Sequence, residues 1–245
     1  MKLSVCILTF NSDQTLGQLL AQVMKLEQEV IVVDSGSSDK TLEILAGYED
    51  RIHVSCRPYK CHSDQMNHAT SLASNDWVLC LDSDELPSDS FIKAVQNIIE
   101  DPGQYPRGRV GRIRRNWFVL GKKVHAMYPC SSPDFVVRLY DRTICRFNDS
   151  VVDDKVIGFD EDFVIEGWVD HHTFETEAAM ARKLDAYVRR VKANGNERRS
   201  WLKAAGSATA AFWKWYFVKK AFLDGGVGLK TAKYAARYSF LKYRA

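Results

Sequence analysis

Apolar positions in the first eighty residues fall into short unbroken runs separated by amphipathic stretches. Leu3-Ser-Val-Cys-Ile-Leu-Thr9, Glu29-Val-Ile-Val-Val-Asp34 and Trp77-Val-Leu-Cys-Leu81 are aliphatic, partly β-branched and too short for helices. Each predicts a strand buried on both faces, and Ile52-His-Val-Ser55 predicts a shorter one. Between them, Thr15 to Met24, Lys40 to Gly47 and residues 62–73 suit helices; Ser35-Gly-Ser-Ser-Asp39 supplies the loop and N-cap region before the second. Strand alternating with helix at this spacing predicts an α/β fold with a mainly parallel sheet and right-handed crossovers. In open sheets of this kind ligands bind beyond the carboxyl ends of the strands. Thr9, Asn11, Asp34 and Asp82 all fall at such ends, which points to a nucleotide pocket.

The fourth strand ends abruptly in Asp82-Ser83-Asp84-Glu85. Carboxylates crowded at a strand tip repel one another and lose solvation, and a divalent cation relieves both. Asp82 and Asp84, with small Ser83 between them, can face one open edge. Their hard oxygens suit Mg²⁺ or Mn²⁺, held so that positions stay open for substrate phosphates. An ordinary acidic turn is the alternative. Neither GxxxxGK[ST] nor GxGxxG occurs, so a glycine-rich phosphate loop is not expected.

The chain has 245 residues, enough for one enzyme domain with an appendage. No signal peptide is visible, and no apolar run reaches the roughly 18 residues of a membrane-spanning helix. The six cysteines match no zinc spacing, several fall in strand cores, and they read as reduced cytosolic thiols. A net charge of +3 conceals segregation. Ala179 to Ala245 holds 16 Lys or Arg against three acidic residues, whereas residues 149–177 hold ten acidic residues against Lys155 alone. Trp201, Phe212, Trp213, Trp215, Tyr216, Phe217 and Phe222 interleave with Lys214, Lys219 and Lys220, a composition suited to an anionic membrane surface. Helices that simply pack, with lysines as a solvated face, are the alternative. Without a nucleic-acid motif, nucleic acid is set aside as a partner.

Several segments together resemble the inverting glycosyltransferases of family 2, with the GT-A fold. They are Ile7-Leu-Thr-Phe-Asn11, Val30-Ile-Val-Val-Asp34-Ser-Gly-Ser-Ser-Asp39-Lys-Thr41, Gln65-Met-Asn67-His-Ala69 and Leu79-Cys-Leu-Asp82-Ser-Asp84-Glu85. Arg114-Arg-Asn-Trp-Phe118, Pro133-Asp-Phe-Val-Val-Arg138-Leu and Phe222-Leu-Asp-Gly225 look more narrowly like the bacterial lipopolysaccharide-core β-1,4-glucosyltransferases. The resemblance implies a GT-A catalytic domain over residues 1–177, with a nucleotide-sugar half (1–100) and an acceptor half (101–177). A basic helical extension follows over 178–245. It further implies a metal-dependent hexosyltransferase carrying glucose from a UDP-sugar to a lipid-linked saccharide, peripheral on the cytoplasmic face of the inner membrane. A capsule or other surface-glycan transferase, or a non-catalytic sugar-nucleotide-binding membrane protein, are the alternatives.

Roles follow from that resemblance. Asp34 accepts a hydrogen bond from uracil or caps its own turn, and Thr9 and Asn11 border base and ribose. Asp82 and Asp84 hold the metal and diphosphate. Gln65 and Asn67 match positions near the diphosphate-sugar, with helix packing as the alternative. An inverting transfer needs one general base. The family's carboxylate position falls on Asp154, with Asp153 standing where the family usually has His; a solvated acidic loop is the other reading. His171 matches a family histidine that reaches metal or phosphate, unless it is structural. Arg138, among strand residues, needs a partner: a phosphate of donor or acceptor, or an internal salt bridge. The cluster Arg107, Arg109, Arg112, Arg114 and Arg115 is a candidate contact for an anionic acceptor.

Overall fold

The computed structural model describes residues 1–104, 108–151, 154–193 and 200–244. Its first half runs β1 (Leu3–Thr9), α1 (Leu16–Val23), β2 (Glu29–Asp34), α2 (Thr41–Ala46), β3 (His53–Cys56), α3 (His62–Ser71), β4 (Trp77–Asp82), β5 (Glu85–Pro87) and α4 (Asp89–Glu100). The long β6 (Arg109–Val119) follows, then the short strands β7 (Lys122–Lys123), β8 (Ala126–Met127) and β9 (Cys130–Ser131). Next come β10 (Asp134–Asp141), β11 (Arg146–Phe147), β12 (Val156–Ile157), β13 (Glu161–Val164) and β14 (Val169–Phe174). The chain closes with α5 (Glu177–Ala193), α6 (Trp201–Trp213) and α7 (Gly225–Arg244).

The main sheet has the order β3-β2-β1-β4-β10-β6-β14-β5. β1 lies parallel to both β2 and β4, and β2 parallel to β3, as the alternating pattern predicts. β10 then joins β4 antiparallel. Strand periodicity sorts β1 onto two layers. Leu3, Val5 and Ile7 pack with Leu16, Leu19 and Leu20 of α1 and with Phe91 and Ile92 of α4. Cys6 and Leu8 pack on the other face with Met66 and Ala69 of α3. A sheet buried on both faces has no polar side, which is why its strands read as unbroken apolar runs. Helix α4 starts at Ser88, whose hydroxyl accepts from the Phe91 N–H at 3.2 Å.

Two compact units divide the chain: residues 1–115 with 135–170, and residues 116–134 with 171–245. In the second, Trp117, Val119, Val124, Met127, Phe174, Met180 and Val227 form one core. Trp215 forms another with Ala126, Ala232 and Ala235. Among the described residues no helix is long and apolar enough to cross a membrane. After α6 the backbone winds through a π-helical turn, Lys214–Val218, then a 3₁₀ turn, Ala221–Asp224, before α7. The glycines at 225, 226 and 228 mark this break between helices. A Cβ at Gly228 would lie 1.7 Å from the Ala221 carbonyl oxygen, so only glycine allows α7 to pass so close to the 3₁₀ turn. Gly228→Val should therefore destabilise the protein by about 1–3 kcal/mol or more through overpacking. Urea unfolding checks this, and an unchanged midpoint would show that the turn yields without cost.

Candidate active site

Three strand ends stand side by side at one edge of the first unit. Thr9 is in register with Asp34, and Leu8 with Asp82. Asp34 is buried. Its Oδ1 accepts the N–H groups of Gly36 and Ser37, both at 2.9 Å, and its Oδ2 accepts from the Ser37 hydroxyl at 2.5 Å. The Ser37 hydroxyl oxygen in turn accepts the Asn11 N–H at 2.9 Å, and Asn11 Oδ1 accepts the Ser38 N–H at 2.8 Å. The loops after β1 and β2 are thus woven together, with Asn11 and Gly36 at positive φ. The Thr9 hydroxyl lies buried beside them without a hydrogen-bond partner among the described residues. Gln65, on α3, donates to the Ser35 hydroxyl and to the Arg57 carbonyl, both at 3.0 Å, and so steadies the same loop.

Beyond β4 lies a network of opposite charges. Glu85 is fully buried. Its Oε1 accepts from Arg115 of β6 at 2.7 Å and from Arg138 of β10 at 2.8 Å, and its Oε2 accepts the Asp82 N–H at 3.0 Å. Arg138 also donates to Asp82 Oδ2 at 2.6 Å. His62, the first residue of α3, faces Asp82 Oδ1 through Nε2 at 3.0 Å and Asp154 Oδ2 through Nδ1 at 2.8 Å. A ring held between two carboxylates carries protons on both nitrogens. Burial pulls the His62 pKa down, but Asp82 and Asp154 outweigh it and the value is pushed up to about 10. For Asp154, burial raises the pKa and the His62 contact more than offsets it, holding the carboxyl below its ordinary value. Burial likewise opposes the Arg138 charge, and Glu85 and Asp82 win, so the guanidinium is held more firmly protonated than usual. Asp84 sits half-buried in the turn between β4 and β5. The turn is fastened to the β1 edge by the Ser83 N–H to the Leu8 carbonyl (2.9 Å) and the Ser12–Ser83 hydroxyl pair (2.6 Å).

Residues 4–165 match the family model described as glycosyl transferase family 2. The chain belongs to that family. An uncharacterized glycosyltransferase of Rickettsia typhi is 24% identical over 253 residues, covering 98% of this chain and 85% of its own. Among solved structures, a mannosyltransferase from Pyrobaculum calidifontis, in complex with GDP-Man and Mn²⁺, superposes with a TM-score of 0.56. It is 16% identical and covers 98% of this chain and 85% of its own. TarS residues 1–349 of S. aureus, in complex with UDP-GlcNAc, superposes with a TM-score of 0.50; it is 17% identical and covers 100% of this chain and 90% of its own. The architecture is the GT-A one, and the family makes this protein a hexosyltransferase that takes its sugar from a nucleotide sugar.

Within this transferase the expected residues separate. Thr9, Asn11, Asp34, Gln65, Asp82, Arg138 and Asp154 lie in the first unit on the woven loops and the charge network. Asn67 instead clamps β11, donating to the Phe147 carbonyl at 3.0 Å and accepting the Phe147 N–H at 2.9 Å. That is the packing alternative. Arg138 takes the internal-salt-bridge alternative. His171 lies in the second unit, buried, its ring edge-on to Trp117 with centroids 4.6 Å apart. Asp153 and Arg107 lie outside the described residues. Two other arginines of the cluster are turned to internal partners, Arg115 to Glu85 and Arg112 to Asp162 at 2.9 Å. Arg109 stacks over the Phe163 ring at 5.1 Å.

Repulsion at the strand tip is met in part within the chain. Arg115, Arg138 and His62 already neutralise Glu85 and Asp82, so charge relief alone does not require a cation. Among the described residues no three His, Cys, Asp or Glu side chains gather into a metal cluster. What the donor set fits is a hard cation held by one or two carboxylates and completed by substrate phosphates. The sequence assigns Arg115 to an anionic acceptor and Glu85 to the crowded strand tip, whereas the two pair with each other; it assigns His62 nothing. For His62 the available signal was its spacing, one helical turn before Gln65 on α3.

Removing one partner of a buried ion pair leaves an uncompensated charge. Arg138→Met should accordingly cost about 3–5 kcal/mol of unfolding free energy. Denaturant titration is the check; wild-type stability in this variant would mean that the arginine serves a ligand and not the fold.

Proposed function

We propose that this transferase carries a hexose, glucose in our reading, from a UDP-sugar to a lipid-linked saccharide such as a lipopolysaccharide inner core. It inverts the anomeric centre and works peripherally at the cytoplasmic face of the inner membrane. The observation that carries the mechanism is the chain Asp82–His62–Asp154. One imidazole separates the strand-tip carboxylate, on the donor side, from the candidate base. That spacing suits a reaction in which the diphosphate departs on one side while the acceptor hydroxyl loses its proton on the other.

Asp154 is the base in this reading. His62 keeps it ionised and oriented, so that it meets the acceptor hydroxyl as an acceptor of hydrogen bonds and then of the proton. Asp34 has about four lone-pair sites, and three donors occupy it, which leaves room for a uracil N–H. The unpaired Thr9 hydroxyl is a ready neighbour for the nucleoside. UDP-GlcNAc in the TarS complex supports a uridine donor. The Mn²⁺ in the archaeal mannosyltransferase complex supports a divalent cation. Asp82 and Asp84 are the residues that would hold Mn²⁺ or Mg²⁺, and the ion, when bound, supplies positive charge to the departing diphosphate. The narrower likeness of Phe222-Leu-Asp-Gly225 and Pro133-Asp-Phe-Val-Val-Arg138 supports the lipid-linked acceptor.

Two measurements test this. Asp84→Asn should remove the metal-dependent part of UDP affinity in calorimetry with and without Mn²⁺, and equal affinity in both proteins refutes the metal assignment. Asp154→Asn should keep UDP binding while kcat falls about 10²–10⁴-fold, the range for loss of a general base. Full turnover in Asp154→Asn combined with loss in Asp153→Asn moves the base to the neighbouring carboxylate.

A further inference from the structure

The end of α6 and the segment after it are built in a way that ordinary packing does not explain. Its aromatic residues divide into two sets. Trp215 is buried, 5.4 Å from the Tyr128 ring, and Phe212 and Tyr216 stack on each other beside it at 5.3 Å. Trp213 and Phe217 stack at 4.5 Å and face outward, 59% and 44% exposed. Val218, Phe222 and Leu223 continue the outward row at 71%, 44% and 57% exposure. Phe222 lies 6.4 Å from Phe217, so these rings are contiguous. Soluble proteins seldom leave such a row uncovered without a use for it.

The backbone that presents the row is held in place. The Lys219 N–H bonds to the Lys214 carbonyl at 2.9 Å, closing a π-helical turn, a form common at functional sites. Lys220 adopts a left-handed conformation with φ 60°, which is unfavourable for a side chain with a Cβ. Asp224 turns inward, where its carboxylate accepts the His125 N–H at 2.8 Å and pairs with His125 Nδ1 at 2.5 Å. Between residues 200 and 223 the charged residues are four lysines, 203, 214, 219 and 220, with no acidic residue. The row also lies beyond the residues 4–165 that match the family model.

We propose that this ridge, from Trp213 to Leu223, is the surface that docks the enzyme on an anionic phospholipid membrane. Trp213, Phe217, Val218, Phe222 and Leu223 enter the headgroup boundary, and Lys214, Lys219 and Lys220 meet lipid phosphates. This deepens the lipid-linked-acceptor reading and rests on it. Charge decides between membrane and a second copy of the chain. An isologous dimer through this ridge would set lysine against lysine. Its apolar area, on the order of a few hundred Å² for five partly exposed side chains, falls short of the roughly 800 Å² per partner of a stable interface. An anionic bilayer meets both features at once, and aromatic rings prefer that depth.

Flotation of the full chain with phosphatidylcholine vesicles, with and without phosphatidylglycerol, tests the assignment. The wild type should float with the anionic vesicles and lose part of this binding as salt rises, because lysine attraction is screened within a Debye length whereas insertion is not. Lys214→Glu with Lys219→Glu and Lys220→Glu should lower the partition at least 100-fold, since each lysine near the surface contributes roughly fivefold. Trp213→Ser with Phe217→Ser should remove the salt-resistant part and leave the screened part. UDP affinity, measured on the same samples, should not change in either variant. Failure of the wild type to float with anionic vesicles overturns the docking surface, as does a dimer in sedimentation that Trp213→Ser converts to monomer. Loss of UDP binding by the wild type would instead strike the sugar-transfer reading and leave the flotation result standing.

Discussion

Glu85 sits fully buried one residue beyond the turn that ends β4, and a carboxylate there costs several kcal/mol unless cations meet it. Arg115 and Arg138 meet it from two different strands, at 2.7 and 2.8 Å. Each arginine is itself almost wholly buried and has no solvent to fall back on. The network therefore ties β4, β5, β6 and β10 to one another in a single arrangement. A slip of β6 or β10 by one residue would turn its arginine to the opposite face and strand the glutamate. The apolar layers stabilise the sheet without regard to such detail. The ion network sets which side chains stand at its carboxyl edge.

That constraint governs the strand edge proposed for the donor. Asp82 is not a loose carboxylate at a strand tip. Its backbone N–H is held by Glu85, one oxygen by Arg138 and the other by His62. Any cation or diphosphate that binds there would enter a site whose charges are already nearly balanced by His62 and Arg138. A charge added beside Asp82 would be felt at Asp154, because His62 touches both carboxylates. The nearby woven loops behave differently. Asp34, Asn11 and Ser37 satisfy one another locally, so those loops hold their form through their own hydrogen bonds.

Legibility in the sequence followed locality. β1, β2 and β4 could be read because strands buried on both faces show as unbroken apolar runs, and the nearby ends Thr9, Asp34 and Asp82 came with them. The antiparallel entry of β10 beside β4 could not, since its partner lies some sixty residues earlier and nothing in an eight-residue strand names a partner. The same holds for His62, whose meaning depends on Asp154 across a distance in sequence that no periodicity spans. The position of Arg138 among strand residues shows that it needs a partner, but whether phosphate or a carboxylate supplies it depends on Glu85 being buried. Acidic residues next to a strand look alike until their surroundings are known.

The aromatic segment shows a second limit, one of phase. On a regular helix, residues 213 and 217 fall on one face and 215 lies well round from them, but which face is outward depends on every turn that follows. The π turn at Lys214–Val218 adds a residue to the count, and Lys220 then takes a left-handed conformation. Within Phe222-Leu-Asp-Gly225 the consequence is a division of labour over three residues. Asp224 faces inward to His125, while Phe222 and Leu223 stay exposed. Composition alone makes this a cluster of aromatics and lysines, equally suited to packing or to a surface. Only the backbone separates the two uses: Trp215 fills the core, and Trp213, at the end of α6 and well round the helix from it, lies outside.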